Sequence, residues 1–224
     1  MSADGPAYEP FEGSRGQLWM MRIGAADAPS ILFVPALFEE MNRTRALVAA
    51  AMRALVAQRF GCWLPDLTGT GESETALEDA TWRDWRHDVS AAAAFVEDKS
   101  GHAPLLAAVR GGGLIDDAAG AIGRWRLTPV DGASLTRDME RSGFGGGEWA
   151  GYAASADVRG FLADAKPCMQ APLRIVRLAS DPGEADLKIE GPALWRRSEP
   201  GSSAALADAM AADIAGWHAT CAGS

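Results

Sequence analysis

The stretch Leu105-Leu-Ala-Ala-Val-Arg-Gly-Gly-Gly-Leu114 decides the fold of this chain. Its first half, Leu105–Val109, is a short and continuously apolar run, which is typical of a strand buried on both faces of a parallel sheet. Arg110 and three glycines follow directly. Glycine permits a tight reversal of the backbone, so this segment predicts a turn that opens onto a helix.

The rest of the chain alternates between strand and helix patterns. Residues 11–24 predict a hairpin, and the apolar run 31–34 predicts a buried strand that ends at Pro35. Thr81, with Asp84 three residues later, predicts the capping box of a helix whose buried face carries Trp82 and Trp85. Other helices are predicted at 42–59 and 203–218, and other strands at 62–64, 126–130, 173–179 and 186–189. This alternation predicts one α/β domain over residues 1–224, built on a doubly wound, mainly parallel sheet.

Composition excludes several classes of function. The 224-residue chain has 48% hydrophobic residues and a formal net charge of -9, without a Lys/Arg stripe that would follow a phosphate backbone, so nucleic acid is not an expected partner. No apolar run reaches the roughly 20 residues of a membrane span, and the N-terminus lacks the pattern of a signal peptide, so we expect a cytoplasmic protein. Cys62, Cys168 and Cys221 lack the spacing of a metal or redox site.

A cofactor is not expected either. Gly69-Thr-Gly71 lacks the third glycine of a dinucleotide fingerprint, and no Gly-Lys-Ser/Thr follows it. The two glycines are better explained by a tight turn that Asp66 caps. The sequence therefore predicts neither a metal nor a cofactor.

Three segments together resemble a known family: Val34-Pro-Ala-Leu-Phe-Glu-Glu-Met-Asn-Arg-Thr-Arg45, Leu64-Pro-Asp-Leu-Thr-Gly-Thr-Gly-Glu-Ser73 and Trp82-Arg-Asp-Trp-Arg-His-Asp88. They are similar to the α/β-hydrolase-like proteins associated with the exosortase A system of exopolysaccharide-producing bacteria, in particular to the second of the two hydrolase types. Only the Glu-Glu-Met-Asn-Arg segment is specific to that family. The resemblance implies an α/β-hydrolase-like fold and a hydrolase-like role in exopolysaccharide or protein-sorting biology.

The resemblance also shows which catalytic parts are missing. The nucleophile elbow G-x-S-x-G corresponds to Ala108-Val-Arg-Gly-Gly112, so Arg110 occupies the place of the nucleophile, and a protonated guanidinium cannot attack a carbonyl. Asp181 fits the position of the triad acid, although it also suits a turn. No histidine lies between the last predicted strand and the final helix. Two of the three triad members are therefore absent, which leaves open whether the protein is an enzyme.

Arg110 has two interpretations. With Gly111 and Gly112 at a helix N-terminus, it forms a cradle for a carboxylate, phosphate or sugar acid. Alternatively, it forms an internal salt bridge with Glu39, Glu40 or Asp116 that plugs the pocket.

The resemblance places residues 37–42 in the loop that supplies part of the oxyanion hole, so Leu37, Phe38 and Asn42 are expected to contact a ligand. Glu39 and Glu40 are candidates for a general acid or base, or simply charges that stabilise the start of a helix. Arg110, Glu39, Glu40 and Asp181 are thus the catalytic candidates for an atypical ester or thioester hydrolase. The alternatives are a non-catalytic protein that binds an anionic or acyl ligand, and a structural subunit of a biosynthetic complex.

A minimal cap is expected over residues 136–172. Two short helical patterns, 137–142 and 157–162, flank a glycine-rich joint at 143–147. Such a lid is too brief to enclose a large substrate, so a second copy of the chain is a candidate partner that completes the pocket as a homodimer.

Overall fold

A computed structural model describes residues 5–142, Trp149, 153–197 and 199–223 of the chain. Its centre is an eight-stranded sheet in the order β1-β2-β4-β3-β5-β6-β7-β8. β1 and β2 form an antiparallel hairpin, β2 pairs with β4 in antiparallel orientation, and all the other neighbours are parallel. The strands are β1 (Ala7–Gly13), β2 (Gly16–Ile23), β3 (Ser30–Val34), β4 (Gly61–Pro65), β5 (Leu105–Val109), β6 (Gly123–Leu127), β7 (Leu173–Leu178) and β8 (Leu187–Ile189).

Helices cover both faces of this sheet. They are α1 (Glu39–Val56), α2 (Trp82–Ser100), α3 (Gly132–Ser142), α4 (Ala156–Asp164) and α5 (Ala204–Ala222). Helices α1 and α5 pack on one face and bury Phe33 and Trp125, whereas α2, α3 and α4 pack on the other and bury Val34 and Leu106. Successive strand residues point to opposite faces, so one strand supplies both cores. The predicted doubly wound, mainly parallel sheet is confirmed.

The structure corrects the predicted boundary of β6. The strand covers Gly123–Leu127 rather than 126–130, because Thr128 has a positive φ of 45° and Pro129 follows it. Helix α1 begins at Glu39, three residues before the predicted start at Asn42.

The helix predicted after the Arg110 turn is wrong. Residues Arg110–Leu114 and Asp116–Ala118 form two short 3-10 turns, after which the chain enters β6. Three consecutive glycines are poor helix formers, and Asp residues compete for backbone hydrogen bonds. The Asp116 carboxylate is instead drawn into an ion pair with Arg126. Two short 3-10 turns align fewer peptide dipoles than an α-helix, so the cradle hypothesis loses most of its support from a helix dipole.

Both helices expected in the cap region are present. Helix α4 docks on the start of α2, where Asp157 accepts a hydrogen bond from the Trp82 backbone N–H at 2.8 Å and the Ser155 hydroxyl donates to the Ala80 carbonyl at 2.7 Å. The predicted glycine joint at 143–147 lies outside the described residues. In the described part of the chain, no helix combines the length and the apolar character needed to cross a bilayer.

The predicted turn at Gly69 and Gly71 is confirmed. Gly71 has a positive φ of 56°, and a Cβ there would lie 2.1 Å from the carboxyl carbon of Asp66. Asp66 accepts a hydrogen bond from the Glu72 backbone N–H at 3.3 Å, as expected of a residue that caps this turn.

The predicted capping box of α2 is confirmed and yields a test. Thr81 and Asp84 exchange side-chain-to-backbone hydrogen bonds. Burial raises the pKa of Asp84, but hydrogen bonds from Thr81 and the Arg15 charge outweigh burial and lower it overall. A lowered pKa stabilises the fold above the ordinary carboxyl pKa, and this contribution disappears as the pH falls through the folded value.

We expect Asp84→Asn to lower the free energy of unfolding by about 1 kcal/mol at pH 7 and by less at pH 3, measured by urea denaturation. Asp98→Asn, on the exposed side of the last turn of the same helix, is the matched control and should change little. An equal loss at both pH values would contradict the role of the Asp84 charge.

Candidate functional site

Three strained residues lie at the carboxyl ends of adjacent strands. Phe38 follows β3 with a φ of 57°, Arg110 follows β5 with a φ of 51°, and Thr128 follows β6 with a φ of 45°. Side chains other than glycine rarely adopt this left-handed region, and such strain concentrates at functional sites. Ligands of open α/β sheets also bind at the carboxyl ends of their strands. This edge of the sheet is therefore the candidate site.

Arg110 has its positive φ of 51° in a tightly packed turn directly after β5. Small neighbours make it possible: a Cβ on Gly112 would lie 2.5 Å from the Pro35 carbonyl oxygen, and a Cβ on Gly111 would lie 2.8 Å from the Leu135 side chain. Only glycine fits such close approaches. Gly111 and Gly112 are buried against the loop after β3 and against α3. They therefore position Arg110 and do not expose their backbone N–H groups to an anion.

Arg110 forms the internal salt bridge that the sequence left open, with Glu40 as its partner. Arg110 Nη2 donates to Glu40 Oε1 at 2.8 Å, and Arg110 Nε lies 3.1 Å from the same oxygen and 3.2 Å from Oε2. Nη2 also donates to Asp138 Oδ2 at 3.0 Å, from helix α3. The Arg110 and Glu40 side chains are only 5% and 6% exposed, and the guanidinium carbon lies 5.1 Å from the centre of the Trp195 ring.

Two consequences follow for the chemistry of this pair. Burial raises the pKa of Glu40, and the Arg110 charge opposes that shift without cancelling it. Nε and Nη2 of Arg110 are occupied, whereas its Nη1 group makes no hydrogen bond within the described parts of the chain. Arg110 thus keeps donor capacity for a further acceptor, because a guanidinium carries five N–H groups.

The remaining residues of the loop after β3 lie in two environments. Leu37 and Phe38 are 2% and 4% exposed, and Phe38 packs edge-on against Trp85 and Trp149 at 5.5 Å. They belong to the core and line neither of the two clefts described below. Glu39 pairs with Arg43 and accepts a hydrogen bond from the exposed Asn42 side chain.

Asp181 is a turn former in this structure. It accepts hydrogen bonds from the Gly183 backbone N–H and from Arg177 Nη1, both at 2.9 Å, and it makes no hydrogen bond to Arg110. Burial raises the pKa of Asp181, but these hydrogen bonds and the charges of Arg177 and Arg110 outweigh burial and lower it overall. Glu40 is thus the direct partner of Arg110, whereas Asp181 forms a separate ion pair with Arg177.

Two clefts open beside Arg110. The first, which we name the arginine lobe, has a volume of about 420 Å³ and is lined by Arg110, Pro129, Val130, Asp131, Ser134, Arg137, Asp138, Arg141, Arg177 and Arg196. The second, which we name the tryptophan lobe, has a volume of about 370 Å³ and is lined by Glu39, Glu40, Arg43, Asp138, Met139, Arg141, Trp195 and Arg196. Five arginines around one cleft contrast with the net charge of -9 of the whole chain.

None of the three histidines lines either cleft. His87 and His102 are exposed on and after α2, and His218 packs against the Phe60 ring at 5.1 Å. Within the described residues, no group of three His, Cys, Asp or Glu side chains is arranged to hold a metal ion.

Sequence reasoning missed most residues that line the two clefts, among them Asp138, Arg177, Trp195 and Arg196. The positions of Asp138 and Arg177 gave a weak indication that they belong to the site. Arg177 lies near the carboxyl end of β7, and Asp138 lies in the helix that follows β6, so both come close to the edge of the sheet where Arg110 lies. Trp195 and Arg196 lie in a short 3-10 turn without a periodic pattern, so only the folded chain brings them to Arg110.

Comparison with known proteins agrees with this architecture. The sequence matches no protein-family model and no curated protein. A hydrolase-like protein of Agrobacterium vitis S4 is 14% identical with a TM-score of 0.58, over 95% of this chain and 98% of that one. An α/β serine hydrolase without a lid from Xanthomonas campestris is 14% identical with a TM-score of 0.55, over 96% and 94% of the two chains.

An α/β serine hydrolase homologue from Coxiella burnetii is 16% identical with a TM-score of 0.50, over 76% of this chain and 73% of that one. Identities this low establish the fold and leave the activity to the residues of the site. The chain has the α/β-hydrolase fold, with an ion-paired arginine at the elbow after β5.

Proposed function

We propose that this protein binds a small organic anion in the arginine lobe and does not act as a serine-type hydrolase. The observation that carries the proposal is Arg110 itself. It lies directly after β5, is held by Glu40 and Asp138, and makes no Nη1 hydrogen bond to a described residue, beside a cleft lined by four more arginines. Guanidinium groups are the preferred partners of carboxylate and phosphate.

The charges around the cleft support an anion rather than a neutral ligand. Arg196 is exposed and makes no hydrogen bond or ion pair with any described residue through its side chain. Arg177 is fixed by Asp181, so its charge is held in place before a ligand arrives. A preordered cation loses little conformational entropy on binding.

From the sequence resemblance alone, we also propose that the ligand belongs to exopolysaccharide or protein-sorting biology. Atypical ester or thioester hydrolysis is the second candidate, and the raised pKa of Glu40 favours it because a general base works best with a pKa near the operating pH. The bidentate pairing with Arg110 opposes it, since the carboxylate is already occupied.

One experiment separates the two candidates. The wild type, Arg110→Ala and Glu40→Gln are assayed with short-chain and long-chain p-nitrophenyl esters and acyl thioesters, and calorimetry measures the binding of phosphate and of C3–C8 carboxylates. We expect no turnover above the uncatalysed rate, and we expect anion binding that weakens with salt.

Arg196→Ala should weaken anion binding about fivefold to tenfold, whereas Arg53→Ala, an exposed arginine of α1 outside both clefts, should leave it unchanged. Turnover that collapses in the Glu40 variant would replace the binding proposal with hydrolysis. Absence of both turnover and binding would contradict the anion-binding proposal and the hydrolysis candidate alike.

A further inference from the structure

The tryptophan lobe is lined by a residue with a buried hydrogen-bond donor. Trp195 is 4% exposed and lines this cleft, and its indole N–H makes no hydrogen bond to any residue that the structure describes. A buried donor that has lost water and found no acceptor carries an energetic penalty, so native structures rarely retain one without a reason. The ring itself is held by the Arg110 guanidinium over its face and by Arg43 Nη1, which donates to the Trp195 carbonyl at 3.0 Å.

The two lobes are neighbours that share part of their lining. Asp138, Arg141 and Arg196 line both of them, and Arg110 links them because it lines the arginine lobe and contacts Trp195. The charge balance of the two linings differs. The arginine lobe has five arginines and two aspartates, whereas the tryptophan lobe has three arginines and three carboxylates beside Met139 and the indole. A ligand that fills both lobes therefore needs a charged end and an uncharged end.

We propose that the site is bipartite and takes an oxygenated organic anion, whose charged group binds the arginine lobe and whose hydroxyl or carbonyl oxygen accepts the Trp195 indole N–H. This rests on the anion binding proposed above and names the class of anion. The N–H is covered, so a ligand oxygen must displace a neighbouring side chain to reach it. Arg196 lines the lobe, is exposed and has no side-chain hydrogen bond or ion pair with a described residue, so its rearrangement would break no such bond.

Matched pairs of ligands test the tryptophan lobe apart from the arginine lobe. The probes are lactate and propionate, gluconate and hexanoate, and glycerol phosphate and propyl phosphate, each pair having similar length but different oxygen content. In calorimetry, at least one oxygenated member should bind about fivefold to tenfold more tightly than its deoxygenated partner, as expected for one added hydrogen bond.

Trp195→Phe keeps an aromatic ring under Arg110 and removes only the N–H donor. It should abolish this preference by weakening the oxygenated member more than the deoxygenated one. Trp63→Phe is the matched control, because the Trp63 indole N–H is also buried without a hydrogen bond to a described residue but lies on β4, outside both lobes. Both variants are first compared by thermal unfolding, which shows that the fold is retained.

The outcomes distinguish the two proposals. Equal binding within every pair, or a preference that survives Trp195→Phe, would overturn the bipartite site while anion binding stands. Failure of every anion to bind would overturn the proposed function as well.

Discussion

Removing the Asp116 carboxylate is expected to lower the free energy of unfolding by about 3–5 kcal/mol, the usual cost of leaving one member of a buried ion pair alone. Asp116 and Arg126 are each 0% exposed, and both Arg126 Nε and Nη2 donate to Asp116 at 2.7 Å. The same guanidinium donates through Nη1 to the Cys168 carbonyl, so it joins the turn after β5, strand β6 and the chain before β7.

Urea denaturation of Asp116→Asn and Arg126→Met measures this effect. The double variant should recover part of the loss, because it removes both charges rather than stranding one. Asp117→Asn is the matched control: its pair with Arg86 is 28–35% exposed, and such pairs contribute about 0–1 kcal/mol. A loss below about 1 kcal/mol in Asp116→Asn would show that the buried pair does not hold the turn together.

The spacing of apolar residues was enough to predict the strands and helices whose buried residues repeat along one element. The apolar runs of β3 and β5 are buried along their whole length. Trp82 and Trp85 lie on the buried face of α2, as their spacing predicts. Such patterns are local, since the side chains that must face the core repeat at the period of the element itself.

The turn after β5 shows where local patterns stop being informative. Apart from its run of glycines, Asp116-Asp-Ala-Ala119 resembles the first turn of a helix, because acidic residues favour a helix N-terminus. The decisive interaction is instead with Arg126, ten residues along the chain in a central strand. The Gly-Arg-Trp-Arg-Leu sequence of β6 also places a charge inside the sheet, so it conceals the strand from a search for apolar runs.

The sequence predicted the position of Arg110 and a set of possible ion-pair partners, but not which of them it contacts. The sequence identified Arg110 at the elbow and gave Glu39, Glu40 and Asp116 as alternative partners. Choosing Glu40 requires the orientation of the first turn of α1 relative to β5, a contact between residues 70 positions apart. Asp138 completes the pair from α3, and its weak signal, a place after β6, is shared by the exposed charges of the same helix.

Replacing Arg110 by serine is expected to give a destabilised protein that still does not hydrolyse esters. The substitution restores the residue type of a nucleophile elbow, but it supplies no histidine to accept the serine proton. It also strands Glu40, which is 5% exposed and loses the partner that holds its charge. At pH 7 we expect a loss of about 3–5 kcal/mol in the free energy of unfolding.

The pH dependence of the free energy of unfolding tests whether Glu40 causes the stability loss in Arg110→Ser. Its pKa is already raised by burial in the wild type, and loss of Arg110 removes the cation that opposes that shift. A raised carboxyl pKa means that the folded state holds its proton more tightly than the unfolded chain, so stability is greatest at low pH. It then falls by up to about 1.4 kcal/mol per pH unit until the folded pKa is passed.

The deficit of Arg110→Ser relative to the wild type should therefore grow as the pH rises from 5.5 to 8, a range that avoids the isoelectric point near 4.8. Urea denaturation across this range measures it. The double variant Arg110→Ser/Glu40→Gln should show a deficit that is nearly constant with pH, because glutamine does not titrate. A deficit in Arg110→Ser that is itself constant with pH would mean that the variant suffers from lost packing around Trp195, and that the Glu40 charge is not what Arg110 stabilises.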